Sequence, residues 1–172
     1  MILRKTMLLM ALWLTIACSV HARDAPLGPA ASSFLRSGPA HALRGCDLWH
    51  RRCKEVRLRV LESGDGEAND VPRHWARMSG PGVSVDVTFE LPTKDFPGRP
   101  HPSIERLQIT TPRWPLLSGL RLGDPRAKVS SALGEPSDRS EGCWRYADAP
   151  DDVSLCFGQD RLQSVTWTFF ID

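Results

Sequence analysis

Residues 120–136 read LRLGDPRAKVSSALGEP, and they carry the clearest secondary-structure signals in the chain. Asp124 can cap the free amides at the start of a helix, and Pro125 fits the first helical position, where no amide hydrogen is needed. Gly134 can adopt the left-handed conformation that ends a helix, and Pro136 prevents its continuation. The stretch therefore predicts a helix of about two and a half turns.

The apolar residues of this predicted helix fall on one stripe, at Val129, Ala132 and Leu133. A helix with one apolar stripe is stable only when that stripe is buried against another element. We expect the helix to pack on one face of a β-sheet.

Three segments after the helix have the period-two alternation of half-buried strands. They are residues 143–147, 153–157 and 163–171. A register that pairs Trp144 with Leu155 collects the apolar side chains of these strands on one face. The same register places Cys143 directly opposite Cys156 on the other face, which suits a cross-strand disulfide. The segment thus predicts a three-stranded meander beneath the helix.

The front half of the chain, residues 46–112, is also rich in alternating apolar and polar residues. It predicts strands at residues 56–60, 83–91 and 104–110. Ser63-Gly64-Asp65-Gly66 predicts a turn after the first of these strands. Residues 23–45 contain few large apolar side chains and much Ala, Gly, Pro and Ser, so they predict a flexible lead-in.

Residues 1–22 have the parts of a secretory signal peptide. Two cations, Arg4 and Lys5, precede an apolar stretch at residues 7–17 that is too short to span a bilayer. We expect cleavage after Ala22 and a periplasmic or secreted mature protein.

A second way to end the signal is a lipoprotein signal at Cys18, which would become the lipidated first residue. Cys18 follows Leu-Thr-Ile-Ala, and Thr15 stands where the usual motif has leucine. The alternative location is therefore the outer membrane, and we expect membrane contact only if Cys18 is lipidated.

Removal of the signal leaves four cysteines: Cys46, Cys53, Cys143 and Cys156. An even number in an exported chain predicts two disulfides, and three pairings are formally possible. We expect the local pairing, Cys46 with Cys53 and Cys143 with Cys156. The predicted fold class is α+β, with antiparallel β-sheet, a short helix packed on one face and two disulfides, in a single domain over residues 46–172.

Charge argues against a nucleic-acid partner. The signal contains two of the 22 Lys and Arg and none of the 20 Asp and Glu, so the mature chain has no formal net charge. Cations dominate residues 23–61 and acids dominate residues 135–172. We expect these two segments to neutralise each other across the fold, and the alternative is two separate binding faces.

No motif for catalysis or for a cofactor occurs in the chain. The histidines of the mature chain, His50 among them, stand singly, and we expect no enzyme activity, cofactor or metal. Three acids, Asp148, Asp151 and Asp152, follow the strand that carries Trp144, Arg145 and Tyr146. We call these six residues the acidic tip. The simplest interpretation of the three acids is a solvated hairpin tip. The first alternative is a contact surface for a basic cleft on another envelope or secreted protein. The second alternative is a metal site, although the spacing matches no EF-hand.

The helix-and-meander unit at residues 117–171 resembles the SmpA/OmlA family, and the β-lactamase inhibitor proteins look like tandem copies of a related unit. The matching residues are Gly119, Gly123, Asp124, Val129, Leu133, Gly134 and Pro136. The resemblance implies either a protein inhibitor or a lipoprotein scaffold of outer-membrane assembly. With export and the absence of catalytic motifs, it favours a non-enzymatic inhibitor or immunity protein, with the envelope scaffold as the alternative. The front half contains no second string of this kind, although it could be a diverged first copy.

Overall fold

The computed structural model describes residues 26–54, 56–94 and 97–170. The predicted signal peptide, Cys18 and the end of the last predicted strand at Ile171 lie outside the described residues. The elements are, in chain order, α1 (Pro29–Ala42), β1 (Cys46–Asp47), β2 (Arg52–Cys53), β3 (Val56–Arg57), β4 (Arg59–Ala68), β5 (Val71–Gly80), β6 (Val83–Glu90), β7 (His101–Ile109), a 3₁₀ helix (Leu117–Gly119), α2 (Arg126–Leu133), β8 (Asp138–Ser140), β9 (Cys143–Asp148), β10 (Asp151–Gly158) and β11 (Arg161–Thr168).

Eight of the strands form one antiparallel sheet in the order β4-β5-β6-β7-β11-β10-β9-β8. It consists of two four-stranded meanders, β4–β7 and β8–β11, joined by the pairing of their last strands, β7 and β11. The β-rich front half and the helix-and-meander unit therefore share one sheet. A smaller sheet of β1, β2 and β3 precedes it in the chain.

The predicted register of the C-terminal meander is confirmed. Trp144 pairs with Leu155 and Cys143 pairs with Cys156 in the β9–β10 ladder. Both predicted disulfides, Cys46–Cys53 and Cys143–Cys156, are present. Alternation along the strands thus placed these side chains on the correct faces before any tertiary contact was considered.

Helix α2 begins one residue later than its capping signals predict. Pro125 is the N-cap, and no side chain caps the first amides. The Asp124 carboxylate instead accepts hydrogen bonds from the Arg121 amide at 2.7 Å and is paired with Lys128 at 2.9 Å. Burial alone would raise the pKa of Asp124, but these two partners lower it below its usual value. Gly134 ends the helix at φ 81°, as predicted.

The packing of α2 directly on the sheet is not confirmed. Val129 and Leu133 are buried, but the main neighbours of α2 are α1 and the 3₁₀ helix, whereas α1 contacts β9 and β10. Neither helix in the described ranges is long and apolar enough to cross a bilayer.

The prediction of a flexible lead-in over residues 23–45 is wrong for residues 29–42, which form α1. Its buried residues are Ala31, Phe34, Leu35, Gly38, Pro39 and Ala42. They recur at helical spacing, so they form one continuous stripe although only two of them are large. Composition alone did not predict this helix, because small side chains look weakly apolar in the sequence. In the structure they let the helix approach its neighbours closely.

Gly38 of α1 lies against the indole of Trp167, and we expect Gly38→Ala to destabilise the protein. A Cβ at Gly38 would lie 2.8 Å from the Trp167 ring, and Pro39 further restricts any residue with a Cβ before it. Exposed helix positions usually gain about 0.5–1 kcal/mol from Gly→Ala. Here overpacking should instead cost roughly 1–3 kcal/mol of unfolding free energy, measured by urea denaturation.

The matched control is Ser37→Ala, at the neighbouring exposed position of the same helix. It should leave stability within about 0.5 kcal/mol. A stabilised Gly38→Ala variant would contradict the close approach of α1 to Trp167.

The predicted turn at Ser63–Gly66 is wrong, since these residues lie inside β4. The chain turns at Asn69 and Asp70, which have φ values of 52° and 61° and tolerate the left-handed region better than most residues. The glycine at residue 64 serves packing: a Cβ there would lie 2.8 Å from Nε1 of Trp75. With a turn predicted at Ser63–Gly66, no strand is predicted over Val71–Gly80, where the structure has β5.

Candidate interaction surface

A short disulfide-closed segment, residues 46–53, forms the feature that we call the stapled hairpin. Its strands β1 and β2 pair at Cys46 with Cys53, the two ends of the disulfide. Cys53 and Leu48 are buried, at 1% and 7% exposure, so two side chains of the hairpin pack in the hydrophobic core. The Leu58 amide also donates to the Arg51 carbonyl at 2.8 Å. The hairpin is therefore held in one conformation on the side of the larger sheet.

Trp49 lies in the turn of the stapled hairpin and is 42% exposed. Its ring meets Phe89 edge-on at 5.1 Å and His74 edge-on at 6.0 Å between centroids. These contacts fix the indole without burying it. Clefts of about 280 and 330 Å³ open beside it, and Leu48, Trp49 and Phe89 line both of them.

Two histidine–carboxylate pairs flank this tryptophan. Asp47 accepts a hydrogen bond from the His50 amide at 3.0 Å, and its second oxygen lies 2.8 Å from Nδ1 of His50. The bond from the His50 amide, followed by that from its side chain, lowers the pKa of Asp47. Nδ1 of His74 lies 2.7 Å from Oδ1 of Asp65. Each pair joins neighbouring backbone segments and so stiffens the surroundings of Trp49.

The described residues contain no group of three His, Cys, Asp or Glu side chains that could hold a metal ion. Both cysteine pairs of the described chain are oxidised, which removes them as thiol nucleophiles. The surface offers a partner an exposed aromatic ring, two clefts and charged side chains.

Five cations lie within the stapled hairpin or next to it in the chain, and we call them the basic rim: Arg44, Arg51, Arg52, Lys54 and Arg57. All five side chains are exposed. Within the described ranges, the ion pairs of the protein involve other cations, for example Arg36, Arg77 and Arg126. Among the described residues, the rim therefore presents positive charge that no ion pair neutralises.

The structure corrects two residues of the acidic tip. Trp144 and Tyr146 are buried, at 8% and 0% exposure, so they belong to the core and offer no surface to a partner. The Tyr146 hydroxyl donates to the Gly134 carbonyl at 3.0 Å, and burial raises the pKa of Tyr146 to about 12. Period-two alternation already put these rings on the apolar face, which argues against an exposed role.

The three acids of the tip already have partners inside the chain. Asp148 is paired with Arg36 of helix α1 at 2.7 Å. Asp152 is paired with Arg145 at 2.8 Å on the same hairpin. Asp151 accepts a hydrogen bond from the Phe170 amide at 3.2 Å. The tip therefore presents less free negative charge than its sequence suggests, and it is the weaker candidate surface.

Sequence reasoning placed His50 among the histidines that stand singly, and it missed Trp49 and the basic rim as a surface. The signal that could have found them is the octapeptide CDLWHRRC at residues 46–53. A tryptophan and two arginines enclosed by a local disulfide cannot all be buried by so short a loop.

The chain matches no protein-family model, no curated protein and no solved structure.

Proposed function

We propose that this chain is a non-enzymatic protein-binding module of the bacterial envelope, which acts as an inhibitor or immunity protein against a toxin or secreted hydrolase. The observation that carries the proposal is Trp49, an exposed indole fixed on a disulfide-closed hairpin between two clefts. Exposed tryptophans are among the residues that contribute most to protein interfaces. Because the hairpin is already ordered, little conformational entropy is lost when a partner binds.

Three sequence features support this proposal. Residues 1–22 have the parts of a secretory signal peptide, which would direct the chain out of the cytoplasm. Two disulfides suit an oxidising compartment. The resemblance of residues 117–171 to a unit that also occurs in inhibitor proteins adds a protein-binding precedent for this kind of fold.

The test is capture of a partner from envelope extracts by the mature protein, followed by binding measurements with the purified partner. We expect Trp49→Ala to weaken binding by about tenfold or more, since truncation of a central aromatic residue at an interface commonly costs 2 kcal/mol or above. The matched control is Trp75→Ala, which removes a similarly exposed indole, 39% accessible, from the opposite face of the larger sheet.

If the partner is an enzyme or toxin, the mature protein should also suppress its activity, and Trp49→Ala should suppress it less. No captured partner, together with substrate turnover by the purified protein itself, would refute the proposal. If Trp49→Ala and Trp75→Ala weakened binding equally, Trp49 would not be the specific contact and the interface would not be centred on it.

A second candidate is a lipoprotein scaffold of outer-membrane assembly or maintenance, which the Cys18 signal favours. Mass spectrometry of the mature N-terminus separates the two candidates. A diacylated Cys18 supports the scaffold, and an unmodified Arg23 start removes it.

A further inference from the structure

We infer that the partner presents an acidic protein surface to the stapled hairpin, with Trp49 as the apolar anchor and the basic rim around it as the electrostatic contact. This inference rests on the proposed function and names the chemistry of its partner. It replaces the acidic tip as the main contact and reverses the expected charge of the partner.

The first observation is a like-charge pair across two strands. Arg52 and Arg57 are directly opposite each other in the β2–β3 ladder. Like charges in this arrangement destabilise a sheet. Arg52 also faces Asp47, but the Asp47 carboxylate is occupied by His50. An unfavourable pair at the surface is understandable if both cations serve an anion outside the chain.

The second observation is backbone conformation. Arg51 and Lys54 have φ values of 57° and 52°, in the left-handed region where glycine is preferred. Long cationic side chains thus stand at two positions that a more stable protein would give to glycine or asparagine. Both positions adjoin the ends of β2, and Arg51 lines the larger cleft beside Trp49.

The third observation is how the two oppositely charged segments of the chain meet. The expected neutralisation of residues 23–61 by residues 135–172 occurs at one described ion pair, between Arg36 and Asp148. The five rim cations take no part in it. Positive charge at one place on a mature chain with no net charge is a local feature, suited to a complementary patch on a partner.

The chemistry around Trp49 favours a protein over a nucleic acid or a lipid surface. The clefts on its two sides are lined largely by apolar side chains such as Leu43, Ile104 and Met78, which suit the aliphatic and aromatic side chains of a protein. A phosphate backbone would use the cations but leave these clefts unfilled. Duplex DNA and anionic vesicles are therefore the contrasting probes.

The experiment uses the mature full chain and a variant that removes two cations while relieving the backbone, Arg51→Gly/Lys54→Gly. Because glycine suits both conformations, this variant should fold as well as the parent protein. A second variant, Arg57→Glu, turns the like-charge pair into an opposite-charge pair. Its melting temperature should be unchanged or higher by about 1–3 °C.

The control is Arg106→Gln/Arg121→Gln, which removes two exposed cations away from the stapled hairpin. The probes are poly-L-glutamate, poly-L-lysine, phosphatidylglycerol vesicles and duplex DNA, with the captured partner as the decisive ligand. We expect the glycine variant and Arg57→Glu each to bind poly-L-glutamate and the partner about threefold to tenfold more weakly at low salt. The control should bind like the parent protein, and high salt should reduce the difference.

The outcomes separate this inference from the function on which it rests. A captured partner whose binding is indifferent to both rim variants overturns the inference and leaves the proposed function intact. Tighter binding to vesicles or DNA than to poly-L-glutamate overturns the acidic protein as the partner. Failure to capture any protein, together with substrate turnover by the purified protein, overturns the proposed function, whatever the rim variants do.

Discussion

Trp167→Ala should lower the free energy of unfolding by about 3–5 kcal/mol, the largest effect that we expect from a single substitution in this chain. The indole is fully buried at the centre of the sheet and stacks on Phe34 with ring centroids 5.4 Å apart. Its N–H donates to the Phe34 carbonyl at 3.1 Å. The substitution would leave a large cavity and remove the indole hydrogen bond to the Phe34 carbonyl.

This loss is a large share of the total, because domains of this size are stable by only about 5–15 kcal/mol. Urea denaturation followed by circular dichroism measures it. The free energy of unfolding of Trp167→Phe should lie between those of Trp167→Ala and the parent protein, because phenylalanine keeps the ring stack and loses the hydrogen bond to Phe34. The exposed control, Trp75→Ala, should cost far less. A Trp167→Ala variant within about 1 kcal/mol of the parent would contradict the docking of α1 on β11.

Loss of the Cys143–Cys156 disulfide, in a Cys143→Ser/Cys156→Ser variant, should cost about 3 kcal/mol in the chain-entropy account. The bridge closes a loop with a sequence separation of 13 residues. Both cysteines are only partly buried, so serine adds little cost of its own. The cross-link acts mainly on the unfolded chain, and the hairpin should keep its register in the folded protein.

Equilibrium unfolding under non-reducing conditions gives the measurement, and the parent protein in reductant gives the comparison with both bridges open. Arg145→Ala is the matched control on the same hairpin. It breaks the exposed ion pair with Asp152 and should cost at most about 1 kcal/mol. A double serine variant as stable as the parent would mean that the unfolded hairpin is already held together without the bridge.

The C-terminal meander is the part of the fold that follows most directly from the sequence. Its strand pairing, its disulfide and the glycine at residue 134 rest on local rules: alternation, cross-strand distance and the left-handed end of a helix. Each rule acts between residues that are close in the chain or opposite in one hairpin. Such signals survive in the sequence because they do not depend on the rest of the molecule.

Helix α1 and strand β5 show where this approach fails. Helix α1 has few large apolar residues, and its burial depends on Trp167, which lies 133 residues away in the chain from Phe34. Strand β5 was hidden by two glycines in β4 that look like a turn, of which Gly64 makes room for Trp75. In both cases a glycine suggests local flexibility in the sequence. In the structure, Gly38 and Gly64 instead let an indole ring from another element approach closely.

The candidate surface divides in the same way. The sequence by itself determined the separation of basic and acidic segments, and it predicted an export signal whose removal would leave four cysteines. Only the tertiary structure decided that Trp144 and Tyr146 are buried, that the acids of the tip have partners, and that Trp49 is exposed beside cations that form no ion pair with the described residues. The reason is that composition and spacing specify which groups are present, whereas their partners are chosen by contacts between segments far apart in the chain.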